Sequence, residues 1–546
     1  MMKIKGAALA VLFLVLVLAF PSAVLARPMD GVDRRVEDGV VFVPLRQAAE
    51  AFGWRVQWQS ETRQIHLFCP VGLLTVLSLR DISERAGGFV EAGVTWIPYE
   101  VALMTFAPPP PDIEIVTFTL TQEARDIALY DFDYLVAFVL ENSPWDSVIY
   151  RVLGIDFMEY VRHAREAIEN KEPIHLFVFD EDIFWSQVPR HEGDDPRSLA
   201  ASYLFALLAV DFAPGLQGIG HLQPRTLDWY SAQLTGFARE YYHHDPRWGY
   251  NYWVAHLLEA FSHPAARWFY GEVDVDLYEA AHPLPAVPGN VQTEILVPGE
   301  VAYLRINSFM VDTSYDNRII LPFLRQVRDF DHLIIDLRGN WGGLMYYFPA
   351  LVLRRLINEP VVLGSHEFFS GGSAAAAKMD AMVRTTLPRV GQPSEQEEIL
   401  YIEILPAGEF IAQRGMTHVD AGDLARLDYV MVSRSVFTPA RDAVGFGGKV
   451  WILVDGQSAS KTAQVAQMAH YTGFATVVGE NTSNIMGSAH VYIPLPNTGI
   501  VWRTDIGYQT DTQGRSLEVY GIAPHIRNFE GMDALETVRA LIAGEE

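Results

Sequence analysis

Two stretches far apart in this chain each run as an apolar strand into a turn of small residues. The first is His-Leu-Ile-Ile-Asp-Leu-Arg-Gly-Asn-Trp-Gly-Gly, from His332 to Gly343. The second is Val-Trp-Ile-Leu-Val-Asp-Gly-Gln-Ser-Ala-Ser-Lys-Thr-Ala, from Val450 to Ala463, and it continues into a helical pattern. From Gln292 on, apolar strands of this kind alternate with helical patterns. A chain built this way must fold as α/β over this part.

The two turns differ in what they offer. Gly339, Gly342 and Gly343 let the backbone turn sharply and come close to a ligand, because they have no Cβ. Ser460 follows a strand and stands at the first turn of the next helix, where N–H groups are free and carry partial positive charge. A hydroxyl beside such donors is what acyl transfer requires. The same position also suits a plain helix-capping serine, and the glycines also suit a plain strand-end turn. Ser458 is a competing hydroxyl with a weaker claim.

At 546 residues the chain is too long for one core and should form about three domains. Half of it is hydrophobic, enough to bury sizeable cores. A formal net charge of −26 disfavours nucleic acid and anionic membrane surfaces as partners. Cys69 is the only cysteine, so no intrachain disulfide and no cysteine metal cluster can form. There is no His-Glu-x-x-His run, and the acidic residues do not cluster at ligand spacing, so neither metal nor cofactor is expected. Lys3 and Lys5 precede an apolar run from Ala7 to Phe20, and Val24 and Ala26 are small residues at −3 and −1 of a cleavage site. Residues 1–26 therefore read as an export signal. The alternative is an uncleaved signal anchor.

Residues 34–107 read as a small α/β module. Val36 to Pro44 and Val90 to Pro98 are similar strands entered through glycine and closed by proline. Leu45 to Phe52 suits a helix, and Arg55–Gln59 with Gln64–Phe68 a hairpin. The run Phe42 to Leu67 resembles the copper amine oxidase N-terminal-like domain of exported proteins. The resemblance implies a stalk with a binding or spacer role at the cell wall; the name does not imply copper here, and His66 reads as a strand residue. Residues 108–119 follow as a Pro-rich linker. Residues 120–285 look helical, with apolar stripes over 131–142, 155–170, 199–212, 226–242 and 251–261. From 292 to 530 strands and helices alternate, broken by a long mixed insertion or lid at 364–448.

The strand–turn segments, with Tyr303 to Phe309 and Ser516 to Ile526, resemble the C-terminal processing and tricorn-core serine peptidases. The resemblance covers roughly residues 292–530. It implies a multidomain chain with a crotonase-like α/β core, hydrolysis of peptide bonds, a peptide or protein substrate and no metal. Ser460 falls at the nucleophile position. The backbone N–H groups of Gly342 or Gly343 and of Lys461 would form the oxyanion hole. The processing branch uses a Ser/Lys dyad, but Ile485 stands at the lysine position. The tricorn-like branch instead uses a histidine ahead of the core, and the Gly220-His221 turn resembles it. His221 is then the base and Glu518 the assisting carboxylate, while Gly220 replaces a serine of that pattern. His366 is the backup base. The rival reading is a catalytically silent envelope-binding protein on the same fold. Substrate preference and oligomeric state are not encoded legibly.

Overall fold

The computed structural model describes residues 114–178, 195–213, 216, 219–225, 259–271, 285–344, 346–386, 398–483 and 490–544. Ahead of these it describes 33–37, 40–51, 55–59, 64–68, 74–78, 89–91 and 94–98. Six expectations lie wholly or mostly outside the described residues: the export signal 1–26, Cys69, linker residues 108–113, the 226–242 helix, the 251–261 helix up to residue 258 and Ile485. Among the described residues no helix is long and apolar enough to cross a membrane.

In the N-terminal module Val40–Pro44 pairs antiparallel with Val94–Pro98, in the register Phe42↔Pro98 and Pro44↔Trp96. Leu45–Ala51 is the helix, and Arg55–Gln59, Gln64–Phe68 and Leu74–Ser78 form a separate three-stranded sheet.

The C-terminal part is organised by a six-stranded sheet in the order Val291–Val297, Val301–Ile306, His332–Asp336, Lys449–Val454, Thr476–Gly479 and Ile526–Arg527. The first pair is antiparallel and every later pair is parallel. Strand alternation sorts the side chains onto two faces. Leu333, Ile335, Val450, Ile452 and Val454 pack under the helices Thr313–Gln326 and Lys461–Thr472. Ile334, Trp451, Leu453 and Val478 meet Ala534 and Val538 of the helix Ala534–Ala543 on the other face. Burial on both faces is why these strands read as unbroken apolar runs. The helix Lys461–Thr472 ends where Gly473 turns left-handed at φ 69°.

Three expectations need correction. The linker does not extend through residue 119, because Glu114–Phe118 is a strand paired with Ile174–Val178. The 364–448 segment is no simple lid. Val361–Phe369, Glu398–Pro406 and Tyr429–Phe437 form an antiparallel sheet completed by Gly507–Tyr508. Nor is the helical region a unit apart. Its helices Gln122–Asn142, Phe157–Glu169 and Pro196–Ala206 share one core with Phe368, Phe410 and Val430, and with Tyr492, Val501 and Trp502. The buried Asp131 carboxylate fixes this union, accepting from the Thr498 N–H and hydroxyl at 2.6 Å each and from the Asn497 amide at 2.9 Å.

Candidate active site

The strands His332–Asp336 and Lys449–Val454 are parallel neighbours, with Asp336 opposite Leu453. Their turns therefore leave the same, carboxyl edge of the sheet, where open α/β sheets hold their ligands. Several hydrogen bonds lock the turns together. Asp455 Oδ1 accepts from the Gly339 N–H at 3.0 Å, and Asn340 O accepts from the Ala459 N–H at 3.0 Å. Asn340 is fully buried and its Oδ1 accepts twice at 2.8 Å, from the Gly342 N–H and from the Thr462 hydroxyl. Its Nδ2 donates to Ile306 O at 3.0 Å. Sequence reading missed Asn340 and Thr462; a turn Asn is ordinary, and only the partner turn reveals its task.

Ser460 is one of two described non-glycine residues with positive φ, at φ 52° and ψ −119°. Such a conformation costs of order 1–3 kcal/mol and persists only where the surroundings enforce it. It resembles the strained strand-to-helix turn that lifts a nucleophile out of a sheet. Ser460 heads the helix yet makes no side-chain capping bond. The capping-serine alternative is therefore not what the geometry displays. Ser458 is fully buried, and its hydroxyl is engaged by Leu337 O at 3.0 Å and by Asp455.

The glycine turn lies directly against Ser460. A Cβ on Gly342, at φ +89°, would sit 2.7 Å from Lys461 N and 3.0 Å from Ser460 Cβ. One expected role is corrected here: the Gly342 N–H already donates to Asn340, so it is spent. The N–H groups of Gly343 and Lys461 find no backbone acceptor among the described residues. Lys461 sends its ammonium along the helix to Gln464 Oε1 at 2.9 Å. Desolvation pushes that ammonium down to about 8, against the attraction of Glu367.

His221 closes the short turn Ile219–His221, next to Gln223–Pro224, which pairs with Arg503 and Trp502. Its side chain lies outside what the structure describes. Gly220 has φ +65°, and a Cβ there would lie 2.5 Å from Trp145 Cδ1. The Trp145 indole is pinned by its N–H to Asp505 O at 2.9 Å. A serine cannot fit at 220 without displacing this ring, which accounts for the glycine.

Glu518 is buried on the turn Leu517–Tyr520. Leu517 shares a core with Ala463 of the Ser460 helix. This closing segment docks through Thr482, whose N–H and hydroxyl pair with Ile522 O and N at 3.0 and 2.8 Å. The next residue, Ser483, donates its N–H to Ser458 O at 2.9 Å. His366 bonds Thr510 Oγ1 at 2.8 Å, not Ser460, and packs on Phe368 and Phe410. Burial pushes its imidazole down to about 4. Among the described residues no cluster of three or more His, Cys, Asp or Glu is placed to hold a metal.

Comparison with known proteins agrees on the family. Residues 300–528 match the sequence profile described as peptidase family S41, and residues 31–70 match the copper amine oxidase N-terminal domain. No curated protein sequence matches the chain. Among solved structures, mature CPAF is similar at 13% identity over 74% of this chain and 93% of that one, with a TM-score of 0.39. A lipoprotein from Streptococcus agalactiae is similar at 10% identity over 78% and 98%, with a TM-score of 0.34. The photosystem II D1 C-terminal processing protease is similar at 15% identity over 46% and 52%, with a TM-score of 0.28. Over residues 300–528 the chain thus matches the model of peptidase family S41, a family of serine peptidases, and over residues 31–70 that of the copper amine oxidase N-terminal domain.

Proposed function

We propose that the protein is an exported serine peptidase that works through Ser460 with a histidine base, on a crotonase-like core. Ser460 Oγ attacks the scissile carbonyl as His221 takes its proton. The oxyanion is held by the N–H groups of Gly343 and Lys461. His221 then returns the proton to the departing amine, and water repeats the cycle on the acyl-enzyme. Glu518 orients the base. The observation that carries this reading is Ser460 itself, a strained residue at a helix head whose hydroxyl makes no capping bond, pressed against the glycine turn.

Lys461 does not replace the missing family lysine in this scheme, since its ammonium is directed to Gln464 three residues along the helix. Export is supported by the Lys3–Ala26 pattern, and the N-terminal module would space the peptidase from the cell wall. The test is turnover of a fluorogenic peptide library by the wild type, Ser460→Ala, His221→Ala and Glu518→Gln. Ser460→Ala and His221→Ala should each lose at least about a thousandfold in kcat/KM, and Glu518→Gln less. Full turnover by His221→Ala would remove His221 as the base. A folded wild type that cleaves nothing in the library would point to a silent binding protein.

A further inference from the structure

Trp341 is 57% exposed, at the apex of the glycine turn. Large aromatic side chains are normally covered, and Trp145, Trp451 and Trp502 in this chain are buried. Trp268 is also exposed, but the Arg197 guanidinium lies 3.8 Å over its ring. Trp341 has no such ring or cation partner among the described residues. It also projects from a fixed base. Asn340 before it is fully buried and bonded to Ile306, Gly342 and Thr462, and Gly342 after it is wedged against Ser460 and Lys461. The indole therefore cannot drift far from the nucleophile, although more than half of the residue is exposed.

We propose that Trp341 forms the apolar wall of the subsite for the acyl-side residue of the substrate, and so selects an apolar side chain there. The inference rests on Ser460 being the nucleophile. The turn carrying Trp341 also presents the Gly343 N–H to the scissile carbonyl, and the residue owning that carbonyl is the acyl-side one. In the proposed complex its side chain lies on the indole. An apolar side chain laid on the ring removes both surfaces from water, whereas a carboxylate would be desolvated there without a partner.

The experiment uses the full chain and two capped dipeptide boronic acids, one with a phenylalanine and one with an aspartate side chain at the boron-bearing residue. A serine hydroxyl adds to boron, giving its proton to the base and forming a tetrahedral boronate. Inhibition constants are read by protection of Ser460 from a fluorophosphonate. The wild type should prefer the phenylalanine analogue by about tenfold or more. Trp341→Ala should bring the ratio close to one, Trp341→Phe should keep most of it, and Trp268→Ala should match the wild type. An unchanged ratio in Trp341→Ala overturns the proposal alone. A wild type whose Ser460 is never labelled overturns both the proposal and the nucleophile on which it rests.

Discussion

Asn340 accepts the Thr462 hydroxyl at 2.8 Å on the same oxygen that takes the Gly342 N–H, so one buried amide ties the glycine turn to the helix behind Ser460. The arrangement relates the two halves of the site. One side chain thus helps to set the positions of both Gly343, a proposed oxyanion donor, and Ser460.

Asn340→Ala removes that link and leaves buried groups of Gly342, Thr462 and Ile306 unpaired. Each such group costs about 1–3 kcal/mol, and partial relaxation should bring the total to about 3 kcal/mol. Urea denaturation should register this loss. The kcat for peptide cleavage should fall by about a hundredfold from the misplaced turn, more than KM changes.

Gly342→Ala probes the close approach itself. Its methyl group would lie 2.7 Å from Lys461 N and 2.9 Å from Ala459 O, from a backbone at φ +89°. The turn must retreat from Ser460, so kcat/KM should drop at least about tenfold while far-UV circular dichroism stays native. Wild-type activity in this variant would mean that the turn and the nucleophile do not cooperate.

Gly220→Ser restores the hydroxyl of the tricorn-like pattern and should still be harmful. The added Cβ meets the Trp145 ring at 2.5 Å, at φ +65°. Overpacking and left-handed strain together predict a loss of about 2–4 kcal/mol, measurable as a lower melting temperature. Trp145→Ala in the same chain should relieve the clash, so the double variant should lose less than the sum of the two single changes.

His366 should make stability depend on acid. Its folded imidazole titrates near 4 because of burial, while in the unfolded chain the usual value of about 6.5 applies. Between these values the unfolded chain holds the extra proton. The contribution is therefore complete above about pH 6.5 and is lost as pH falls toward 4. At about 1.4 kcal/mol per unit it amounts to about 3 kcal/mol. The difference in unfolding free energy between pH 7 and pH 4.5 should shrink in His366→Phe.

The sheet strands were legible because burial on both faces writes continuous apolar runs, and both turns at its carboxyl edge could be located from their glycines and serines. The apolar stripe at 155–170 found the helix Phe157–Glu169, whereas the stripe at 131–142 found only the second half of the helix Gln122–Asn142, which Thr121 caps. The 361–437 sheet was not legible. Val361–Phe369 buries only its last two residues, so its alternation is faint, and its partner Tyr429–Phe437 lies some sixty residues away. The core shared by the helical region and the 490–508 strands was hidden for the same reason. The bond from Trp145 to Asp505 spans 360 residues, and local pattern cannot express it. At the site, the sequence suggested the Lys461 N–H and that of either Gly342 or Gly343 for the oxyanion, without choosing between the glycines. Only the Asn340 bond removes Gly342 from that set.

Whether Ser460 is the reactive hydroxyl is read by covalent labelling. The purified chain would be treated with a fluorophosphonate and its peptides mapped by mass spectrometry. One adduct is expected, on Ser460, absent from Ser460→Ala and strongly reduced in His221→Ala. No adduct on the folded wild type, or an adduct on Ser458 or another serine with Ser460 untouched, would contradict it.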